Sequence, residues 1–283
     1  MNRFLVALSL ATLSLANLSA CQRENAAQQG SAPAPAGAPA PVAPPVAAPA
    51  PLEDVIERDP RYMIGISYPP VASKYPGLAA ELRQYAEAAR ADIKDAVHEM
   101  GDRKPTSPYE LSLSFNTVVD TPQIVAIAAD GSSYTGGAHG NPLVARFVWL
   151  PGQDKSLKSG ELITGTNAWR DISDYVREQL RAALSQRVDA DELPPAERAD
   201  VVRSGLKMID EGTKPQVDAF DQFEPVLGAD GKITALRFVF PPYQIGPYVD
   251  GTQTMDVPAH VLLPYVATAY RSLFATSPDT SSH

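Results

Sequence analysis

Cysteine is all but missing: Cys21 is the only one among 283 residues. A lone thiol forms no internal disulfide and no thiolate metal cage. Histidine is nearly as scarce. His98, His139, His260 and His283 stand in none of the H-x-x-x-H or H-x-E spacings that place imidazoles around one ion, so the sequence implies no metal and no cofactor. Basic residues are outnumbered, 24 against 33 acidic ones, for a formal net charge of −9. Such a chain repels phosphate backbones and anionic headgroups, which excludes nucleic acid and suits a basic partner or plain solubility. A membrane-length apolar run is absent too. Phe4 to Leu18 is apolar but too short for a stable span.

That short run has another use. Arg3 precedes it, and Leu18-Ser19-Ala20-Cys21 ends it. This is the pattern of a signal peptide over residues 1–20 with a bacterial lipobox, in which Cys21 takes the lipid. An ordinary secretory leader cleaved beside a cysteine is the plainer alternative. Gln22 in place of Asp after the cysteine favours sorting to the outer membrane, facing the periplasm. Cleavage removes Arg3 and leaves the mature chain one unit more acidic. Residues 21–51 continue as an Ala/Pro-rich tether with little charge and no large apolar side chains. It cannot bury a core, and at polyproline pitch it reaches at most roughly 90 Å.

Residues 52–275 carry the folding signals. Leu78, Leu82, Tyr85, Ala89, Ile93 and Val97 form one helical stripe, stopped by Gly101 and Pro105. Tyr109–Phe115 alternates as a half-buried strand, and Pro122–Ile127 reads as a second. Asp130-Gly131 reads as a turn. Leu143–Leu150 returns as a strand, so Ser132–Pro142 connects two antiparallel strands. Asn167 stands as the cap of a helix carrying Trp169, Ile172, Val176, Leu180 and Leu184. A weaker helix spans Ala196–Glu211. Ala219–Leu227 and Ile233–Phe240 form a hairpin through Asp230-Gly231, Gln253–Val257 a further strand, and Pro258 opens a last helix that Pro264 disturbs. Hairpins and helices come in separate blocks. The expected class is α+β, with antiparallel sheets, helices packed on one side and two closely associated halves, 52–150 and 151–275, before a polar tail at 276–283.

Two stretches carry candidate chemistry. The first is Ser132-Ser-Tyr-Thr-Gly-Gly-Ala-His139-Gly140. Its glycines allow dihedrals closed to other residues and let a backbone or ligand approach. A phosphate loop needs a lysine and a following helix, which are lacking here, and neither serine stands in a Gly-x-Ser-x-Gly elbow. The sequence favours His139 as a residue of a tight loop, with a general base as the alternative. The second is Phe240-Pro-Pro-Tyr243-Gln-Ile-Gly-Pro-Tyr248-Val-Asp250-Gly251. Its prolines hold Tyr243 and Tyr248 either as rigid binding anchors or as rings closed over the core. The acidic groups Glu53-Asp54, Asp189/Asp191-Glu192 and Asp218/Asp221/Glu224 read as solvated faces and not as a glycosidase pair across a sugar ring.

Together, Tyr134-Thr-Gly-Gly-Ala-His-Gly140 and Pro242-Tyr243-Gln-Ile-Gly-Pro-Tyr248-Val-Asp-Gly251 resemble the extracytoplasmic module shared by RsiV-type lysozyme-binding anti-sigma factors and PdaC-type peptidoglycan deacetylases. The resemblance covers about Asp59 to Phe274, with a PdaC-like first half and an RsiV-like second. It implies an α+β envelope module that binds lysozyme or accompanies peptidoglycan enzymes. The deacetylase domain and the anti-sigma segment of those relatives have no counterpart here, so catalysis is not carried over. The expected partners are the membrane, through the lipid on Cys21, and a lysozyme-like protein or peptidoglycan, with Tyr134, His139, Tyr243, Tyr248 and Asp250 as binding residues. The alternatives are a cell-wall hydrolase or deacetylase-type enzyme using His139 with a carboxylate or Ser133, and a structural envelope protein.

Overall fold

The computed structural model describes residues 51–276. The leader, Cys21, most of the tether and all but the start of the polar tail lie outside the described residues. Six strands form the first sheet: β1 (Val55–Asp59), β2 (Tyr62–Ser67), β3 (Tyr109–Asp120), β4 (Val125–Tyr134), β5 (Asn141–Leu150) and β6 (Lys155–Ser156), in that spatial order. Helix α1 (Pro76–Met100) lies between β2 and β3. Pro76 occupies its first turn, where a missing N–H costs nothing, and Gly101 ends it at φ 63°. The expected stripe is buried apart from Tyr85, which is half-buried, and Ala86 lies inside it.

The class is α+β, and neighbouring strands are antiparallel except β2 and β3, which run parallel. The reason is α1. A long helix after β2 carries the chain back to the end where β2 began, so β3 starts in the same direction. Residues 125–129 of β4 are buried without alternation. Val125, Ile127 and Ala129 face the core under α1, whereas Ile124 and Ala126, with Val148 and Leu150, enter a second core. The sheet is covered on both faces here, which is why this run reads as continuously apolar.

The second core belongs mostly to the C-terminal half. It comprises α2 (Ser159–Leu162), α3 (Ala168–Ala190), α4 (Pro195–Gly212), the sheet β7 (Phe223–Leu227), β8 (Ile233–Phe240) and β9 (Gln253–Pro258), and α5 (Ala259–Leu262). Phe220, Phe238 and Phe240 are fully buried at its centre. Among the described residues both halves lie in one compact unit, within Ala47–His283.

Several local expectations need correction. Asp130-Gly131 is not a turn, because β4 runs through it and Gly131 pairs with Leu113 and Leu143. A Cβ there would lie 2.0 Å from the Ser112 carbonyl oxygen, so the glycine serves close strand approach. The turn comes later, at Gly136 and Gly137, with φ of 107° and 103°. Strand β4 begins at Val125 and not at Pro122, after a turn in which Thr121 bonds Ile124. Residues 217–220 form a 3-10 turn, so the next strand starts at Phe223. Asn167 precedes α3 but makes no side-chain cap bond. The last helix stops at Leu262. Pro264 cannot continue it, and the chain turns so that Val266 bridges Ile163 before a 3-10 turn at Thr268–Leu273. The Asp230-Gly231 hairpin turn stands as expected, with Gly231 at φ 75°.

Strand β1 is tied to α1 by charge. Glu57 accepts from Arg90 Nε at 2.5 Å and from Lys94, whose ammonium also lies over the Tyr62 ring. The Lys94 hydrogen bond, with help from Arg90, holds the Glu57 carboxyl below its ordinary range despite partial burial. A depressed carboxyl stabilises the fold above its unfolded pKa and loses that contribution as pH falls through the folded value. Glu57→Gln should therefore lower stability near neutrality by at most about 1 kcal/mol, as for partly exposed pairs. The gap between the two proteins should close as acidification passes below the ordinary glutamate range, in thermal melts across pH.

Candidate functional site

The turn between β4 and β5 and the segment after β8 meet in space. His139 sits in the turn. Its Nδ1 lies 3.1 Å from the Gly140 carbonyl, and its Nε2 lies 2.9 Å from the Tyr243 hydroxyl. One arrangement satisfies both contacts: Nδ1–H donates to the carbonyl, and bare Nε2 accepts from the phenol. Tyr248 stacks on the imidazole, with ring centroids 4.1 Å apart and an 18° interplanar angle. Tyr243 completes the group, 5.6 Å from the Tyr248 ring. Tyr134 stays with its own turn, donating to the Gly137 carbonyl at 3.2 Å.

This cluster is at the surface. His139 is exposed, Tyr248 is half-buried and Tyr243 is 54% exposed. The two tyrosines are not rings closed over the core. Beside them Val249 is 87% exposed. Tyr243 holds φ at 74°, which costs a non-glycine residue on the order of 1–3 kcal/mol and persists only where the surroundings enforce it. They do so here. The Tyr243 N–H donates to the Gly246 carbonyl at 3.0 Å, and the Gln244 side chain donates to the carbonyls of Gly212 and Ala219 at 2.9 and 3.0 Å. Ile245 is buried in the second core. The loop is thus pinned at the strained residue and at the two residues after it, and Tyr243 faces outward.

Asp250 turns to a different partner. Its Oδ2 accepts from Arg187 of α3 at 2.8 Å. No carboxylate or serine hydroxyl bonds His139 among the described residues, and Ser133 pairs with Asn141 in the β4–β5 ladder. The imidazole therefore has a phenol and a carbonyl as partners, and no group placed as a nucleophile or an orienting acid. Among the described residues, no three His, Cys, Asp or Glu side chains gather where they would hold a metal ion. No helix among them is long and apolar enough to cross a membrane.

A second polar group joins the halves. The Arg146 side chain, on β5, is 7% exposed. Its Nη1 donates to Asp130 at 3.0 Å and to the Ala145 carbonyl at 2.9 Å. Its Nε lies 2.5 Å from Glu224 Oε1 on β7, and its backbone N–H donates to Gln222. Glu224 is thus buried and paired, not part of a solvated acidic face. The available signal was a single charge inside the apolar strand Leu143–Leu150.

Two family models match the chain. Residues 56–142 match the model described as deacetylase PdaC, and residues 162–260 match that of DUF3298, a protein of unknown function. His139 falls in the first match, and Tyr243, Tyr248 and Asp250 fall in the second. The cluster therefore joins residues of two matched regions. Similar solved structures include a DUF3298 member from Bacteroides fragilis, 17% identical over 68% of this chain and 70% of that one, with a TM-score of 0.43. A DUF3298 protein from Pseudomonas aeruginosa is 14% identical over 81% and 98%, with a TM-score of 0.46. No curated protein matches the chain.

Proposed function

We propose that this chain, which carries the PdaC-type and DUF3298 halves of one cell-envelope module, works by binding: it takes a lysozyme-like protein or a cell-wall glycan against His139, Tyr243 and Tyr248. One observation carries the reading. Two loops far apart in sequence converge on a stacked surface group of aromatic rings, in which the Tyr243 hydroxyl bonds His139 and the Tyr243 backbone is held under strain. Rigid tyrosines with little conformational freedom to lose make strong anchors. The acidic balance of the chain steers a basic protein toward it. A lipid on Cys21 and the tether would hold this module at the outer membrane, within the periplasm. The enzymatic alternative has less support, since no side chain among the described residues near His139 is placed as its nucleophile.

The test is a titration of the Ala47–His283 unit against a c-type lysozyme at low and moderate salt, beside pelleting on insoluble peptidoglycan. Tyr243→Ala and Tyr248→Ala are each expected to weaken binding roughly thirtyfold, the effect of losing a central tyrosine anchor, with the melting profile preserved. Lysozyme binding should also weaken with salt. Full affinity in both variants would remove the cluster from the interaction.

A further inference from the structure

The turn that holds Tyr248 against His139 forms part of a second feature. Together with α3 and α4 it lines a half-open cavity of about 150 Å³. The apolar lining includes Leu184, Ile209 and Ile245, all buried. Arg187, Asp250 and Gln253 supply the polar lining. Gly246 lets these polar groups sit against its backbone, since a Cβ there would lie 2.3 Å from Gln253 Nε2 and 3.0 Å from Asp250 Oδ2.

We infer that this cavity receives an acetamido group, and the inference rests on the binding reading above. The size is right for a small group, because an apolar cavity of about 150 Å³ holds a molecule as large as benzene. The polar complement selects among small groups. Asp250 Oδ2 is engaged by Arg187, while its Oδ1 and the Gln253 carboxamide carry no hydrogen bond among the described residues. The guanidinium has further N–H donors to offer. A secondary amide meets all three features: its methyl suits the Leu and Ile wall, its N–H suits Asp250 Oδ1, and its carbonyl suits the donors of Arg187 and Gln253. A free amine fits poorly. It would bring a positive charge beside Arg187 and leave the apolar wall without a methyl.

An acetamido group reaches such a site on an N-acetylated glycan or on an acetylated peptide. The Ala47–His283 unit, which contains both cores, would be titrated by calorimetry with a β-1,4-linked N-acetylglucosamine tetramer, its fully deacetylated counterpart and an N-acetyl-lysine peptide. Ala183→Phe places a ring in the cavity from an exposed position of α3 that lines it, so the core is left alone. The acetylated tetramer is expected to bind at least tenfold more tightly than the deacetylated one. Ala183→Phe should abolish that preference, and Tyr243→Ala should lower affinity while keeping it. Tighter binding of the peptide than of the tetramer would keep the acetamido assignment and move its source to protein. Equal affinity for the two tetramers would overturn the assignment. So would Ala183→Phe without effect where Tyr243→Ala weakens binding, and that result leaves the aromatic cluster standing as the binding surface. No binding by any of the three ligands also overturns it, whatever lysozyme does.

Discussion

Replacing Glu224 by alanine is expected to destabilise the protein by about 3–5 kcal/mol, the usual consequence of stranding a buried charge. Arg146 is nearly inaccessible, and Glu224 is its partner across the two halves. Asp130 remains, but its side chain is 46% exposed and lies on the same half. The loss is large beside a total stability of roughly 5–15 kcal/mol, and urea denaturation would resolve it readily. Replacing both members with apolar residues, Arg146→Met with Glu224→Leu, should recover most of the loss, because the cost lies in the unpaired charge more than in the absent attraction. A single-variant effect below about 1 kcal/mol would mean that Asp130 and the nearby carbonyls suffice to hold Arg146.

Gly212→Ala carries the second large effect, and its sign opposes simple propensity. At the end of α4, alanine in place of glycine would by itself favour the helix by up to about 1 kcal/mol. Here the added Cβ would fall 1.9 Å from the Gln244 carbonyl oxygen and 2.6 Å from its carbon. These are backbone atoms, so no rotamer change relieves the contact. Helix and loop must separate, at an expected cost of about 3 kcal/mol. Separation also weakens the two hydrogen bonds from the Gln244 side chain that pin Tyr243. The His139 imidazole signals should therefore shift in NMR spectra as the Tyr243 hydroxyl leaves Nε2. A variant as stable as the parent would show that the loop yields freely and that Tyr243 is not held by α4.

The same contact explains part of what a linear reading passes over. Gly212 lies inside a helical run and looks like a weak position. Its meaning appears only when residue 244 is brought against it. Glu224 likewise reads as one acid among neighbours, because nothing near it in sequence indicates that Arg146 lies opposite. Gly131 is misread for the reverse reason. Asp-Gly is a strong local turn signal, but the pairing of β4 with β3 and β5 overrides it. Tyr134 and Asp250 are legible as neighbours of the two unusual stretches. Their partners, Gly137 and Arg187, follow from the folded chain.

The sequence by itself determined the elements whose causes are local. Helix α1 follows from apolar residues three and four apart, the β7–β8 hairpin from Asp230-Gly231, and the α+β class from the blocks in which helices and strands arrive. The two loops that matter were visible for the same reason, since glycines around a histidine and prolines around tyrosines restrict the backbone where they stand. Only the tertiary structure decided that these loops meet. His139 and Tyr243 are 104 residues apart, and their contact depends on β4 and β5 presenting one turn while α4 and the second core fix the other. Such closeness depends on how two buried cores share a sheet, and no periodicity within a single segment records it.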